Sequence, residues 1–133
     1  MAIIWQEEYS VGVKEIDQQH QHFIGILNGL YTAITEQQVT QAIEKIINDL
    51  VVYATNHFAT EEKYFDLFNY EFSVEHKAEH QKLTTKVLAL KKAYEAGQEV
   101  ATELLDFLED WLVDHLSVQD KKYVKCFHDH GLF

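Results

Sequence analysis

The sequence contains no proline and no arginine, has one cysteine, and has no apolar run that approaches the length of a membrane span. A span needs roughly 20 apolar residues, so we expect no transmembrane segment. The absence of proline favours long uninterrupted helices. Without arginine the chain lacks the bidentate clamp that many phosphate and nucleotide sites use. The single cysteine, Cys126, excludes an intrachain disulfide, which fits a reducing compartment.

The charge balance is strongly acidic. Eleven basic and 22 acidic residues give a formal net charge of −11, which argues against nucleic acid or an anionic membrane surface as a partner. The N-terminus turns acidic at Glu7 and Glu8 before a signal-peptide core can form, so we expect an unexported, cytoplasmic protein. The length predicts a single domain over residues 1–133.

Four segments carry apolar residues at alternating steps of three and four, the spacing of amphipathic α-helices. The predicted helices cover residues 15–36, 41–66, 74–96 and 99–116. We expect an extended arm over residues 1–14 before them and a short terminal helix or turn, ending near Gly131, after them. Long helices with short connections predict an all-α, up-down-up-down four-helix bundle.

Residues at the predicted helix ends suit capping roles. Thr40 and Ser73 are of the type that caps helix N-termini, and we expect them to cap the second and third helices. Gly97 is expected to follow the last residue of the third helix, where glycine adopts the left-handed conformation.

Eight histidines are many for so short a chain, and five of them occupy positions in the apolar stripes, so they should point into the bundle. Two carboxylates accompany them: one follows a histidine by four residues on the same face, the other by five. Because alternate helices run in opposite directions, all these positions lie at the same end of the bundle. The converging residues are His20, His57, Glu61, His76, His80, His115 and Asp120.

Seven polar groups in one buried layer require partners, and the stripes contain no lysine that would supply them. A lone core histidine is more often simply hydrogen-bonded, but that explanation does not extend to five imidazoles and two carboxylates. Burial of unpaired charge costs several kcal/mol per group. A bound multivalent cation removes that cost, so the sequence predicts a metal site.

The number and type of donors indicate which metal. Zinc usually takes four ligands, and seven donors are too many for one zinc ion. Mixed imidazole and carboxylate donors suit iron, and carboxylates in helical bundles commonly bridge two irons. Five imidazoles, two bridging carboxylates and one bridging oxygen fill all positions but one on two six-coordinate irons. The open position is left for a small ligand.

These residues resemble the hemerythrin-like diiron proteins, of the single-domain bacterial kind called bacteriohemerythrin. An HxxxH pair alone is weak, whereas an ordered set of H, HxxxE, HxxxH and HxxxxD across nearly the whole chain is specific. The matching segments are Trp5 with residues 9–13 (YSVGV), residues 16–20 (IDQQH), 57–61 (HFATE), 76–80 (HKAEH) and 115–120 (HLSVQD).

The resemblance implies a role for each ligand. His76, His80 and His115 would bind one iron, and His20 and His57 would bind the other, which keeps the open position. The two bridging carboxylates would be Glu61 and Asp120, together with an oxo or hydroxo bridge.

The resemblance also implies reversible O₂ binding. The diferrous centre would reduce O₂ to an end-on hydroperoxide on the open iron, and the proton would come from the bridging hydroxide, which becomes an oxo bridge. A sphere with only two carboxylates should stabilise high-valent iron less than the carboxylate-rich sites of other bundles, which favours binding over activation.

A dry apolar wall around the open position would limit proton delivery to the bound ligand. The candidates lie within about a turn of a ligand and are Phe23, Ile24, Phe58, Leu112 and Val118. Plain core packing explains most of them equally well. Leu112 matches an apolar residue that the family carries three residues before the histidine of the last helix.

The leading hypothesis is therefore a non-enzymatic, monomeric protein that binds O₂ for carriage, storage or supply. A diiron oxidase or peroxidase is the first alternative, although no acid, base or substrate pocket is evident beyond the ligands. An O₂- or iron-sensing module is the second, although we expect no appended signalling domain. We leave Cys126, His128 and His130 unassigned, and we expect His22, about 200° around the helix from His20, to be solvated.

Overall fold

In the computed structural model, which describes residues 3–133, most of the chain is helical. The elements are a 3₁₀ turn (Glu7–Tyr9), α1 (Lys14–Thr35), α2 (Val39–Phe68), α3 (Ser73–Glu95), α4 (Ala101–Trp111), a π-helical segment (Leu112–Gln119), a second 3₁₀ turn (Asp120–Tyr123) and α5 (Val124–Asp129). Helix α1 packs against α2 and α4, and α2 packs against α3. The predicted all-α bundle is confirmed. Met1 and Ala2, the start of the predicted arm, lie outside the described residues.

Residues 3–133 contain no β-strand. None of the helices described there is both long and apolar enough to cross a membrane.

Two of the predicted helix caps are wrong. The N-cap of α2 is Gln38 and that of α3 is Phe72, so Thr40 and Ser73 lie inside the first turns of their helices. No side-chain hydrogen bond caps the N-terminus of α2 or of α3. Val39 packs against the core, which indicates that tertiary contact outweighs capping preference at this start. Gly97, with φ of 89°, follows α3 in the left-handed region as predicted.

The fourth predicted helix is not a single α-helix. Regular α-helical winding ends at Trp111, and residues Leu112–Gln119 continue with π-helical hydrogen bonding before the chain reaches a 3₁₀ turn and α5. The side-chain hydroxyl of Ser117 donates to the carbonyl oxygen of Leu112, five residues earlier, at 3.1 Å. The apolar spacing of this region therefore indicated a helix correctly but did not reveal its winding.

The apolar core consists of two separate clusters. The larger cluster includes Phe23 of α1 and Phe58 of α2, and the smaller one includes Ile16 of α1 and Phe65 of α2. Both helices therefore pass from one apolar cluster to the other, and the stretch between them is where a layer of polar side chains lies.

The N-terminal arm closes the smaller cluster. Val11 and Val13 are buried in it, and Asp17 of α1 accepts hydrogen bonds from the Val11 backbone N–H at 2.8 Å and the Ser10 hydroxyl at 2.5 Å. Gly12 has φ of 68°, and its carbonyl oxygen lies 2.9 Å from Nε2 of His128. A Cβ at Gly12 would lie 2.8 Å from that nitrogen, so this turn of the arm requires glycine.

We expect Gly12→Ala to lower the free energy of unfolding of the metal-free protein by about 1–2 kcal/mol, because an L-residue is strained in the left-handed region. Gly29→Ala is the control, since Gly29 is an exposed position inside α1 with open space around an added Cβ. That change should instead stabilise by roughly 0.5–1 kcal/mol. Urea denaturation measures both, and a Gly12→Ala variant as stable as the parent would contradict the assigned turn.

Candidate metal centre

The structure brings all seven predicted ligands into the layer between the two apolar clusters. Each is at most 4% exposed, and together they are the buried polar and charged residues of the described chain. The four main helical stretches each contribute: α1 gives one histidine, α2 a histidine and a glutamate, α3 two histidines, and the region after α4 a histidine and an aspartate. The convergence expected from alternating helix direction is therefore present.

The carboxylate of Asp120 lies between two sets of imidazoles. Its Oδ1 is 2.9 Å from Nε2 of His76 and 2.9 Å from Nε2 of His115, while its Oδ2 is 3.0 Å from Nε2 of His20. One oxygen thus faces histidines of α3 and the π-helical segment, and the other faces α1. This is the placement expected of a carboxylate shared by two ions.

The carboxylate of Glu61 faces the same two sets through one oxygen. Its Oε1 is 2.9 Å from Nε2 of His80 and 3.5 Å from Nε2 of His57. Its Oε2 instead accepts a short hydrogen bond from the hydroxyl of Tyr123, which is fully buried. Glu61 therefore links α2 to α3 in the layer and is held in place by a phenol from the 3₁₀ turn.

The π-helical winding explains how Asp120 joins the layer. In an α-helix, residues five apart are about 140° apart around the axis, which would turn Asp120 away from the face of His115. A π-helix pairs residue i with residue i+5, so it brings these two positions onto one face. The prediction that Val118 is a wall residue is wrong for the same reason. Val118 follows His115 by three residues, a spacing that shares a face in an α-helix but not in a π-helix, and its side chain is 51% exposed.

The donor atoms fall into two overlapping groups whose members lie within 4.8 Å of one another. The groups are Glu61 with His76, His80 and His115, and Glu61 with His20, His57 and Asp120. Nε2 of His115 and both oxygens of Asp120 are buried and lack a hydrogen-bond partner of suitable geometry, although they are close together. Lone pairs that converge without hydrogen bonding fit cations, and two groups that share Glu61 fit two of them.

The charged groups of the layer shift one another's pKa. Burial would raise the pKa of Asp120, but His115 and its neighbours outweigh this and hold that pKa well below its usual range. Burial would lower the pKa of His76, but Asp120 and Glu61 raise it to about 9. Burial lowers the pKa of His57 to about 4. Without metal the carboxylates are thus neutralised in part by imidazole protons, which a cation would displace.

Sequence reasoning missed the side chains that orient the ligands. Nδ1 of His57 pairs with Oε1 of Gln19 at 2.6 Å, and Nδ1 of His80 pairs with Oε2 of Glu62 at 2.8 Å. Such outer partners fix which imidazole nitrogen faces the metal. Tyr123 follows Asp120 by three residues, a spacing that marks helical neighbours and was the one available signal for it.

Aromatic rings enclose the layer. Phe58 stacks on His80 with ring centroids 3.8 Å apart, and Trp111 stacks on His115 at 4.0 Å. Tyr53 stacks on His57 at 5.2 Å. Of the other predicted wall residues, Phe23, Ile24 and Leu112 are buried in the larger cluster, whereas Val118 is excluded by its exposure.

The remaining histidines lie outside this layer. His22 is exposed, as expected. His128 contacts the Gly12 carbonyl and stacks on Phe133, and His130 stacks on Phe68, so both have structural contacts at the chain terminus.

Each comparison with known proteins finds hemerythrin proteins. The family model described as the hemerythrin HHE cation-binding domain matches residues 11–127. A bacteriohemerythrin of Stenotrophomonas maltophilia is 33% identical over 121 residues, covering 91% of this chain and 78% of the relative. One of Methylococcus capsulatus is 35% identical over 121 residues, covering 90% and 91%. A crystal structure of wild-type hemerythrin superposes with a TM-score of 0.86 at 31% identity, covering 95% of this chain and 98% of that one.

Replacing either shared carboxylate should damage the site more than replacing a histidine outside the layer. We expect Glu61→Gln and Asp120→Asn each to lower bound metal to one ion per chain or fewer, since each carboxylate faces both donor sets. His128→Ala and His130→Ala are the controls and should keep full metal content. Elemental analysis of purified variants decides, and metal loss in the terminal variants alone would contradict the ligand set.

Proposed function

The chain belongs to the hemerythrin family, and on that premise we propose that its buried layer holds two iron ions and binds O₂ reversibly. Membership supports a non-haem iron protein that binds O₂ at the level of the family. The observation that carries the proposal for this chain is the pair of overlapping donor groups, built from five imidazoles and two carboxylates with no buried lysine among them.

The two donor groups support a division of the ligands. His76, His80 and His115 would hold one iron, and His20 and His57 the other. The iron with two histidines is then one donor short, which leaves a position for a small ligand.

The two carboxylates would link the irons. Asp120 directs one oxygen toward each histidine set, which suits a bridge through both oxygens. Glu61 directs Oε1 toward both sets, while Tyr123 donates to Oε2 and limits how the carboxylate can rotate. An oxo or hydroxo bridge would complete the pair.

Two ferrous ions held by these residues would supply the electrons and the redox chemistry for reversible O₂ binding. The chain's own contribution is to keep water and other protons away from the bound ligand, for which Phe23, Ile24, Phe58 and Leu112 are placed in the adjoining apolar cluster.

We infer a role in oxygen carriage, storage or supply rather than in catalysis, with O₂ as the ligand of a monomeric, cytoplasmic protein. Apart from the proposed ligands, no buried charged side chain of the described chain is available as an acid or base. A diiron oxidase or peroxidase would need such a group to direct protons to bound oxygen. An oxidase would reveal itself by consuming O₂ irreversibly.

The proposal predicts two irons per chain and strong coupling of metal binding to stability, because the layer is costly without cations. The metal-free protein is loaded anaerobically with Fe(II), and iron content and Tm are measured before and after loading. Oxygen is then added and removed under optical monitoring, and the spectral change should reverse. One zinc per chain, an unchanged Tm, or steady O₂ consumption would each contradict the proposal.

Replacing Leu112 tests whether the apolar side chains around the open position protect the oxygenated form. This residue is 3% exposed and begins the π-helical segment, one turn before His115. We expect Leu112→Ala to keep two irons but to speed decay of the oxygenated form to an inert diferric one, because water and protons enter the space left by the side chain. A large-to-small core change of this kind typically costs about 2–5 kcal/mol, so the fold should survive at moderate temperature.

Stopped-flow absorbance measures O₂ binding by the Leu112→Ala protein, and optical traces over hours measure its decay. Val118→Ala is the control, since the exposed side chain of Val118 should not affect decay. Faster decay in Phe23→Ala but not in Leu112→Ala would show that Phe23, rather than Leu112, protects the oxygenated form. Unchanged decay in both would show that the apolar enclosure does not protect the oxygenated form.

A further inference from the structure

Two buried tyrosines of the described chain have hydroxyls without a hydrogen-bond partner. Tyr53 is 5% exposed and Tyr70 is 6% exposed, and the oxygen of each is enclosed. Buried hydroxyls in native proteins are nearly always paired, because an unpaired one loses its bonds to water without compensation. An unpaired phenol next to a functional layer is therefore evidence that another group completes its hydrogen bonding.

Tyr53 lies on the side of the metal layer that has two histidines. It precedes His57 by one turn of α2, and the two rings are nearly parallel, with an angle of 13° and centroids 5.2 Å apart. The centroid of Phe23, a proposed wall residue, is 5.5 Å from that of Tyr53. Tyr53 thus packs on one ligand of the two-histidine set and beside a proposed wall residue.

The hydroxyl of Tyr53 carries a proton that it can donate in a hydrogen bond. No acceptor in the described chain takes that proton.

Tyr53 also lines a surface cleft. The cleft has a volume of about 350 Å³, and its lining includes Gln18, Gln19, His22, Tyr53, Asn56 and His57. Tyr53 and His57 both line this cleft, and the Tyr53 ring also packs beside Phe23. The cleft therefore opens to solvent on the side of the layer where Tyr53 and His57 lie.

We propose that Tyr53 donates a hydrogen bond to small acceptor ligands held at the open side of the His20 and His57 pair, and so sets which ligands are retained there. The ligand class is O₂ and small linear anions whose terminal atom accepts a hydrogen bond. This inference rests on the proposed function, because it assigns a residue to the ligand of the two-histidine iron. It also modifies the expected dry wall, which contains one polar donor.

Tyr70 provides a matched control within the same chain. It is as buried as Tyr53 and is likewise unpaired, but it packs in the smaller cluster, with its ring 5.0 Å from that of Phe65 and 6.3 Å from that of Tyr123. It contacts none of the proposed wall residues by ring packing and lines a different cleft, beside Cys126. Removal of either hydroxyl changes the same chemical group at the same degree of burial.

The experiment compares azide binding by the diferric forms of the parent protein, Tyr53→Phe and Tyr70→Phe. Loss of one hydrogen bond to an anion should raise the Kd for azide about tenfold in Tyr53→Phe and leave it unchanged in Tyr70→Phe. Optical titration gives Kd, and stopped-flow mixing should assign the change to faster dissociation. Iron content and the Tm of the metal-free proteins check the fold, and neither variant should melt earlier than the parent, since no protein hydrogen bond is lost.

The outcomes separate this inference from the proposed function. If the parent holds two irons and binds azide while Tyr53→Phe matches its affinity, the donor role of Tyr53 is wrong and the diiron proposal stands. Equal weakening in Tyr53→Phe and Tyr70→Phe would also overturn it, because the effect would then be a general one of losing a buried hydroxyl. A parent protein that binds neither two irons nor azide would overturn both proposals.

Discussion

The burial of seven polar side chains in one layer is the constraint on which the rest of the structure depends. Two apolar clusters enclose the layer from opposite ends, so its groups cannot be satisfied by bulk water. Imidazoles and carboxylates lie within hydrogen-bond distance of one another, yet several of their atoms find no partner of suitable geometry. Such a layer is unfavourable in itself and becomes favourable when cations occupy it. Under the proposed function, folding and metal binding would therefore be coupled in this chain.

The chain adopts unfavourable π-helical winding after α4, and this winding allows the layer to assemble. Helix winding with i to i+5 hydrogen bonds is rare and occurs most often at functional sites. Here it places Asp120 on the face of His115, and it exposes Val118, which α-helical spacing would have buried. The irregular winding is maintained because the aspartate that it directs inward contacts three of the five histidines.

The surroundings of the two histidine sets differ. On the three-histidine side, a carboxylate from Glu62 pairs with His80, and the rings of Phe58 and Trp111 cover His80 and His115 closely. On the two-histidine side, the neutral amide of Gln19 pairs with His57. An imidazole that pairs with a carboxylate is a more basic metal ligand than one that pairs with an amide. The two proposed irons would therefore differ in environment as well as in ligand number.

Apolar periodicity and residue type determined the bundle, the bounds of its helices to within a few residues, and the seven residues that converge, because each of these depends on the repeat of a helix and on its direction. Only the tertiary structure decided which residues surround them. The winding after Trp111, the exposure of Val118 and the unpaired hydroxyl of Tyr53 all depend on groups that other helices bring close. A local repeat records which face of a helix is buried, whereas hydrogen-bond partners and helix winding are set by packing across the bundle.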